Sequence, residues 1–176
     1  MLNCRQIRLN EVEQFREVRL ACLRRYPDQM LGSLDYESSQ SLVFHMTQLR
    51  DNIVVGLYAE DSLCGITYAT RHGNGSQRLA HKINSWGTFV DREKLATLVD
   101  IKTCGRPGTS MLSTMLDLLK ERGIKNCHAG INADNDRSLA LYERLGFQRI
   151  YTEKYGVLRH GGKGYEDIVH VLKYLD

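Results

Sequence analysis

Apolar positions recur along this chain at strand spacing in some stretches and at helical spacing in others. Asn3 to Leu9 alternates in the manner of a short first strand. From Glu11 to Tyr26 the residues Val12, Phe15, Val18, Cys22 and Leu23 fall on one helical face. Tyr26-Pro27-Asp28 ends that helix, because proline pushes the residue before it out of the helical region. A second helix is expected from about Ser39 to Arg50, with Leu42, His45, Met46 and Leu49 on its buried side. Asn52 to Glu60 and Leu63 to Thr70 flank Asp61-Ser62 and read as two strands of a tight hairpin. The stretch RHGNGSQR that follows reads as a loop.

Between His81 and Ile101, HKINSWGTFV and LATLVDI both have the look of strands, joined by the polar DREK. The second is expected to lead into the next loop. Thr109 to Arg122 carries a strong apolar stripe, Met111, Leu112, Met115, Leu116 and Leu119, and Gly123 closes it as a left-handed cap. A buried strand from Asn126 to Ile131 precedes a short helix from about Asn135 to Leu145. Asp134 is placed to cap that helix at its start and Gly146 at its end, with Phe147 folding back on the last turn. Two strands, Gln148 to Tyr155 and Tyr165 to Tyr174, finish the chain across the glycine-rich VLRHGGKG. The order implies one α/β (α+β) domain over residues 1–176. Its mixed central sheet is mostly antiparallel, contains one parallel βαβ unit and is flanked by helices.

Composition adds limits. A chain of 176 residues, 42% hydrophobic and 26% charged, can bury a core without staples. Two prolines and no Ser/Gly-rich run give no linker, and no internal repeat is present. The net charge of +3 permits an anionic ligand or a nucleic acid but selects neither. Cys4, Cys22, Cys64, Cys104 and Cys127 are odd in number and never spaced CxxC, and the six histidines form no HxxxH pair. That pattern argues against a disulfide framework and a metal site, and for reduced thiols in a cytoplasmic protein. The first residues contain no long apolar run, so neither a signal peptide nor a membrane span is expected.

The most informative segment is Asn132 to Phe147, NADNDRSLALYERLGF. Here the chain resembles the GNAT acetyltransferase superfamily, whose late motif has the form N-x-x-A-x-x-L-Y-x-x-x-G-F. Asn135, Leu141, Tyr142, Gly146 and Phe147 occupy the matching positions, and Ser138 stands where alanine is usual. Weaker likeness covers Leu95 to Ile131, the first helix and the ending GYEDIVHVL. The resemblance implies transfer of an acetyl group from acetyl-CoA to an amine, on a small molecule or a peptide, by direct attack. It implies Tyr142 as the acid that protonates the departing thiolate, a role a positioned phenol can fill. Taken alone, Tyr142 reads as a structural residue of an amphipathic helix, its ring in the core and its hydroxyl at the surface. Asn135 is implied as a contact to the pantetheine arm, and it is also a natural cap or turn residue.

The resemblance places the pyrophosphate on Cys104 to Ser110. A glycine-bearing turn that opens a helix offers backbone N–H groups and a positive dipole end to phosphate. Gly105 and Gly108 keep this turn flexible, Arg106 adds charge, and Thr109 and Ser110 add hydroxyls. The family form is R/Q-x-x-G-x-G/A, whereas a gapless alignment puts Cys104, Pro107 and Thr109 at the signature positions. Proline has no N–H, so one phosphate contact should be missing. Backbone groups of the preceding strand, taken as Val99 to Thr103 and including Ile101 and Thr103, are implied to align the pantetheine and polarise the thioester.

An alkylammonium, with a pKa near ~10, must also lose a proton. Asp100, Glu93, Asp91 and His81 are the candidate bases, with Asp100 first. The basic residues Arg144, Arg149, Lys154, Arg159 and Lys163 are diluted by Glu143, Glu153, Glu166 and Asp167. They lack the interleaved aromatics of a single-strand reader, so nucleic acid is not the expected partner. A homodimer stays open. The unusual loop motivates an alternative, a non-catalytic GNAT-like module that binds coenzyme A.

Overall fold

The computed structural model describes residues 1–71 and 76–176. Among these, the strands β1 (Leu2–Gln6), β2 (Ile53–Ala59), β3 (Ser62–Arg71), β4 (Lys82–Val90), β5 (Asn126–Asn132), β6 (Gln148–Leu158) and β7 (Tyr165–Tyr174) form one sheet. Its order is β1-β2-β3-β4-β5-β7-β6. Every neighbouring pair is antiparallel except β4 with β5. The expected mixed sheet with one parallel unit is therefore present. The loop read at RHGNGSQR falls partly outside the described residues, at 72–75.

Helices cover the two faces unequally. Val54 and Val55 are adjacent in β2, and because side chains alternate along a strand they enter different cores. On Val54's face, α1 (Val12–Arg25) brings Phe15, Val18 and Cys22 against Tyr58, Ile66, Tyr68 and Phe89. The shorter α2 (Leu34–Ser39) and α3 (Leu42–Asp51) lie beside α1. On Val55's face, α5 (Pro107–Glu121) buries the whole predicted stripe from Met111 to Leu119. Leu139 and Tyr142 of α6 (Asp136–Arg144) join the same core, together with Cys127, Ala129, Ile131, Val169 and Val171. The core beneath α1 draws on β2, β3 and β4 but takes no residue from β5, β7 or β6. Among the described residues, that core does not extend under the half of the sheet formed by β5, β7 and β6.

Several expectations change. The single helix expected over Ser39 to Arg50 is two helices, divided at Gln40, and only His45 and Leu49 of α3 are buried. Leu42 and Met46 stay exposed. LATLVDI is not a strand. Asp91 caps α4 (Arg92–Leu98) by accepting from the Lys94 amide at 3.0 Å, and only Leu95 of that helix is buried. Asp100 then caps a single turn of 3-10 helix over Ile101–Thr103, accepting from the Lys102 amide at 2.9 Å. A polar run with a capping aspartate outweighs the strand propensity of Leu, Thr and Val when just one side chain has a core to enter. At α6 the cap is Asn135, not Asp134: its Oδ1 accepts from the Ser138 amide at 3.1 Å. Gly123 and Gly146 do take the left-handed conformation at the ends of α5 and α6.

Candidate active site

β4 and β5 pair only at Lys82–Asn84 with Asn126–His128. Beyond those pairs a cleft of about 480 Å³ lies between Gly87–Val90 of β4 and Gly130–Asn132 of β5. A break in the β3–β4 register between Ile66 and Tyr68 accompanies Gly87, whose φ of +66° an L side chain rarely adopts. The bulge turns β4 away from its regular ladder where the cleft begins. The strand that borders the cleft is thus β4, and not the Val99–Thr103 stretch expected from sequence. Ile101 and Thr103 lie in the capped turn after α4 and do not line the cleft.

One end of the cleft is built by helix termini and arginines. Gly105 (φ +61°), Arg106, Pro107, Gly108 and Thr109 line it, whereas Ser110 does not. Pro107 is the first residue of α5, a position whose N–H has no helical partner in any case, so the fixed φ of proline is accommodated there. The Ser110 amide is already bonded to the Arg106 carbonyl, which leaves the amides of Gly108 and Thr109 to face an anion. Arg92, Arg137 and Arg144 also line this cleft, and Arg144 reaches Thr109 Oγ1 at 3.4 Å. Anionic phosphates fit that surround on charge alone.

Tyr142 stands in the wall. Its ring meets Phe147 edge to face at 4.9 Å, and its hydroxyl is 3.1 Å from Ser85 Oγ on β4. Burial pushes the phenol pKa up, against smaller opposing effects of hydrogen bonds with Ser85 and Thr88. The hydroxyl is therefore held in its protonated form. Asn135 combines both of its expected readings, since it caps α6 and also lines the cleft.

At the other end stand Tyr26, Gln29, Met30, Trp86 and Asn132. Trp86 stacks on Tyr68 at 4.2 Å and donates to Thr70 Oγ1 at 2.7 Å, so its indole is held in place. Asn132 donates its amide protons to the Asp28 carbonyl at 3.0 Å and to the Glu166 carboxylate. Glu166 is buried, which raises its pKa. Asp134 and Asp28 raise it further, and Arg159 at 3.5 Å works the other way.

None of the four sequence candidates for the base lines the cleft. Asp91 is held by Arg25 at 2.7 Å and Glu93 by the same arginine at 2.5 Å. Asp100 serves as the cap described above, and His81 is exposed before β4. The basic residues are mostly surface pairs: Arg149 with Glu143, Lys154 with Asp167, and Arg159 with Asp134. Sequence reasoning missed Gly87–Val90, Trp86, Asn132 and Arg137. Only the glycine inside the strand pattern at Gly87 hinted at a bulge. Among the described residues, no group of three or more His, Cys, Asp or Glu is arranged to hold a metal, and no helix is long and apolar enough to cross a membrane.

The profile of the Acetyltransferase (GNAT) family matches residues 107–147, the span from α5 through α6 to Phe147. No curated protein sequence matches the chain. Solved structures match it over nearly its whole length. A probable acetyltransferase from Staphylococcus epidermidis superposes with a TM-score of 0.74 at 16% identity, over 100% of both chains. A putative acetyltransferase from Salmonella typhimurium, solved with acetyl-CoA, gives 0.75 at 16% over 100% of this chain and 95% of that one. A phosphinothricin acetyltransferase from Sinorhizobium meliloti, also in complex with acetyl-CoA, gives 0.75 at 18% over 99% and 88%. The architecture is therefore the GNAT fold. What the chain shares with these proteins is the fold, and over residues 107–147 also the sequence profile of the Acetyltransferase (GNAT) family.

Proposed function

We propose that this chain is an N-acetyltransferase that moves an acetyl group from acetyl-CoA to an amine in a ternary complex. The observation that carries the reading is the opening between β4 and β5, bordered by the start of α5 and by Tyr142. On this reading Gly108 and Thr109 amides with Arg106, Arg137 and Arg144 hold the phosphates. The backbone of Gly87–Val90 aligns the pantetheine and polarises the thioester carbonyl, a role indifferent to side-chain identity. Tyr142 hands its proton to the thiolate as the carbon–sulfur bond breaks. Trp86, Tyr26, Met30 and Asn132 stand where the acceptor enters. Free thiols at all five cysteines fit the cytoplasm.

Calorimetric titration with acetyl-CoA, followed by thiol release in the presence of amines, tests the reading. Micromolar binding with turnover is the expected result, and no binding at millimolar ligand overturns it. A second reading, a non-catalytic module that binds coenzyme A, draws support from the absence of Asp91, Glu93, Asp100 and His81 from the cleft. Binding without turnover on any amine would select it.

The loop can be tested on its own. Pro107→Gly should bind acetyl-CoA as well as the parent protein or slightly better, because it adds an N–H at the first helical position. Calorimetry that shows clear weakening would mean the phosphates do not lie on this turn.

A further inference from the structure

Asn132 ends β5, lines the cleft and is only 9% exposed. One atom of its side chain meets two partners, the main-chain carbonyl of Asp28 at 3.0 Å and Oε2 of Glu166. A main-chain carbonyl can only accept, so that atom is the nitrogen Nδ2, whether or not Glu166 holds a proton. The amide is thereby barred from flipping, and both Nδ2 hydrogens are engaged. Among the described residues no donor meets Oδ1, and the atom is not sealed from solvent. A side chain buried this deeply thus offers the cleft one fixed acceptor that lacks a partner. Such an atom gains from any N–H brought to it.

Asp28 holds the surroundings together. Its carbonyl takes Asn132 Nδ2, and its Oδ1 accepts from the His160 amide at 2.8 Å. The segment after α1, the end of β5 and the loop between β6 and β7 therefore meet at this point. The chain neighbours Tyr26, Gln29 and Met30 line the cleft with Trp86. Charge here is mostly negative. Glu166 is buried, and Asp134 and Asp28 are close enough to act on it. Arg159 offsets part of that charge, 3.5 Å from Glu166 and 3.7 Å from Asp134, so its guanidinium is shared between two carboxylates.

We propose that Asn132 Oδ1 receives an N–H of the acceptor amine, and that this end of the cleft takes amines with no carboxylate beside the nitrogen. The proposal rests on the acetyltransferase reading above and deepens it. A primary amine has N–H groups besides its lone pair, so a hydrogen bond to Oδ1 turns the nitrogen without using the electrons that attack. Asn132 accepts that hydrogen bond and takes up no proton. A carboxylate on the next carbon, as in a free amino acid, would be brought near Glu166, Asp28 and Asp134, where like charge is costly. Tyr26, Met30 and Trp86 offer the remaining surface to an apolar substituent. The acceptor class is therefore an amine on an apolar stem, or a peptide amine whose neighbouring carbonyl is an amide.

The test uses the full chain, acetyl-CoA, and benzylamine, L-phenylalaninamide and L-phenylalanine as acceptor probes. The last two differ only in the group beside the amine, a neutral amide or a carboxylate. With kcat/KM referred to the neutral amine, the amide should be used at least about tenfold better than the free acid. Glu166→Gln should shrink that gap several-fold, because it removes a negative charge and keeps an acceptor for Asn132 Nδ2. A merely structural Glu166 would leave the gap unmoved, and that result overturns the proposal. Asn132→Leu should lower kcat/KM for benzylamine by about tenfold or more, with the acetyl-CoA Kd within about twofold of the parent by calorimetry.

A parent protein that does not bind acetyl-CoA overturns the enzyme reading and this proposal together. Turnover with equal use of amide and free acid, or an unchanged benzylamine rate in Asn132→Leu, overturns the proposal alone. Should Asn132→Leu fail to fold, the amide-to-acid ratio in the parent and in Glu166→Gln decides. If the parent binds acetyl-CoA but uses none of the probes, calorimetry of the same probes against the coenzyme A complex decides. Tighter binding of L-phenylalaninamide than of L-phenylalanine supports the assignment, and equal binding or none overturns it.

Discussion

Replacing Tyr142 with phenylalanine is expected to lower turnover between about 10²- and 10⁴-fold, the range that one positioned acid contributes. Affinity for acetyl-CoA should stay within about twofold, because the change removes an atom needed only when the thiolate departs. The ring keeps its edge-to-face contact with Phe147 and its place among Leu139, Cys127 and Ala129. Only the hydroxyl is lost, and with it the 3.1 Å contact to Ser85 Oγ. That partner is itself buried, so a stability loss of about 1 kcal/mol should accompany the kinetic effect. Thiol-release kinetics, calorimetry and thermal unfolding on the same sample separate the three quantities. An unaltered rate would remove Tyr142 from the chemistry and leave it a core residue.

Glu37→Ala should destabilise the fold by about 3–5 kcal/mol, the usual cost of leaving one member of a buried ion pair uncompensated. Arg19 and Glu37 join α1 to α2 through two contacts, Nε to Oε2 at 2.9 Å and Nη2 to Oε1 at 2.6 Å. Their side chains are only 3% and 6% exposed, and Arg19 Nη1 already lacks a partner. Gly32 is part of the arrangement, since a Cβ there would fall 2.4 Å from both Arg19 and Glu37. Without Glu37 the guanidinium charge stays buried under the Tyr68–Trp86 stack.

Urea denaturation measures the loss. The double variant Arg19→Leu/Glu37→Leu should recover most of it, because the buried charge is gone. The segment between α1 and α2 carries Tyr26, Gln29 and Met30 into the cleft, so Glu37→Ala should also weaken use of the acceptor more than binding of acetyl-CoA. A stability change below about 1 kcal/mol would place the pair in the surface class, where such contacts contribute little.

The stripe of α5 and the face of α1 were legible in sequence because their apolar spacing is long and regular, and every predicted member is buried. The caps at Gly123 and Gly146 were legible for a local reason, since both positions require a positive φ. The late motif pointed to Tyr142 and Asn135, and both line the cleft. LATLVDI was misread because a seven-residue run with one buried side chain is ambiguous by periodicity alone. That misreading moved the strand beside the cofactor loop from β4 to Val99–Thr103. Asp100, Ile101 and Thr103 were carried into the expected site with it.

By itself the sequence determined the order of most elements, the mixed sheet and the late GNAT motif. These depend on neighbours a few residues apart, within the reach of spacing and capping rules. Tertiary structure alone decided where β4 and β5 stop pairing, and which residues from distant segments meet around that opening. His170 and Gly130 are forty residues apart in the chain and adjacent in the sheet. Asn132 on β5 meets Asp28, from the segment after α1, and Glu166 of β7, which are far apart in the chain. Strand register brings such groups together, and no local pattern encodes register between strands so far apart.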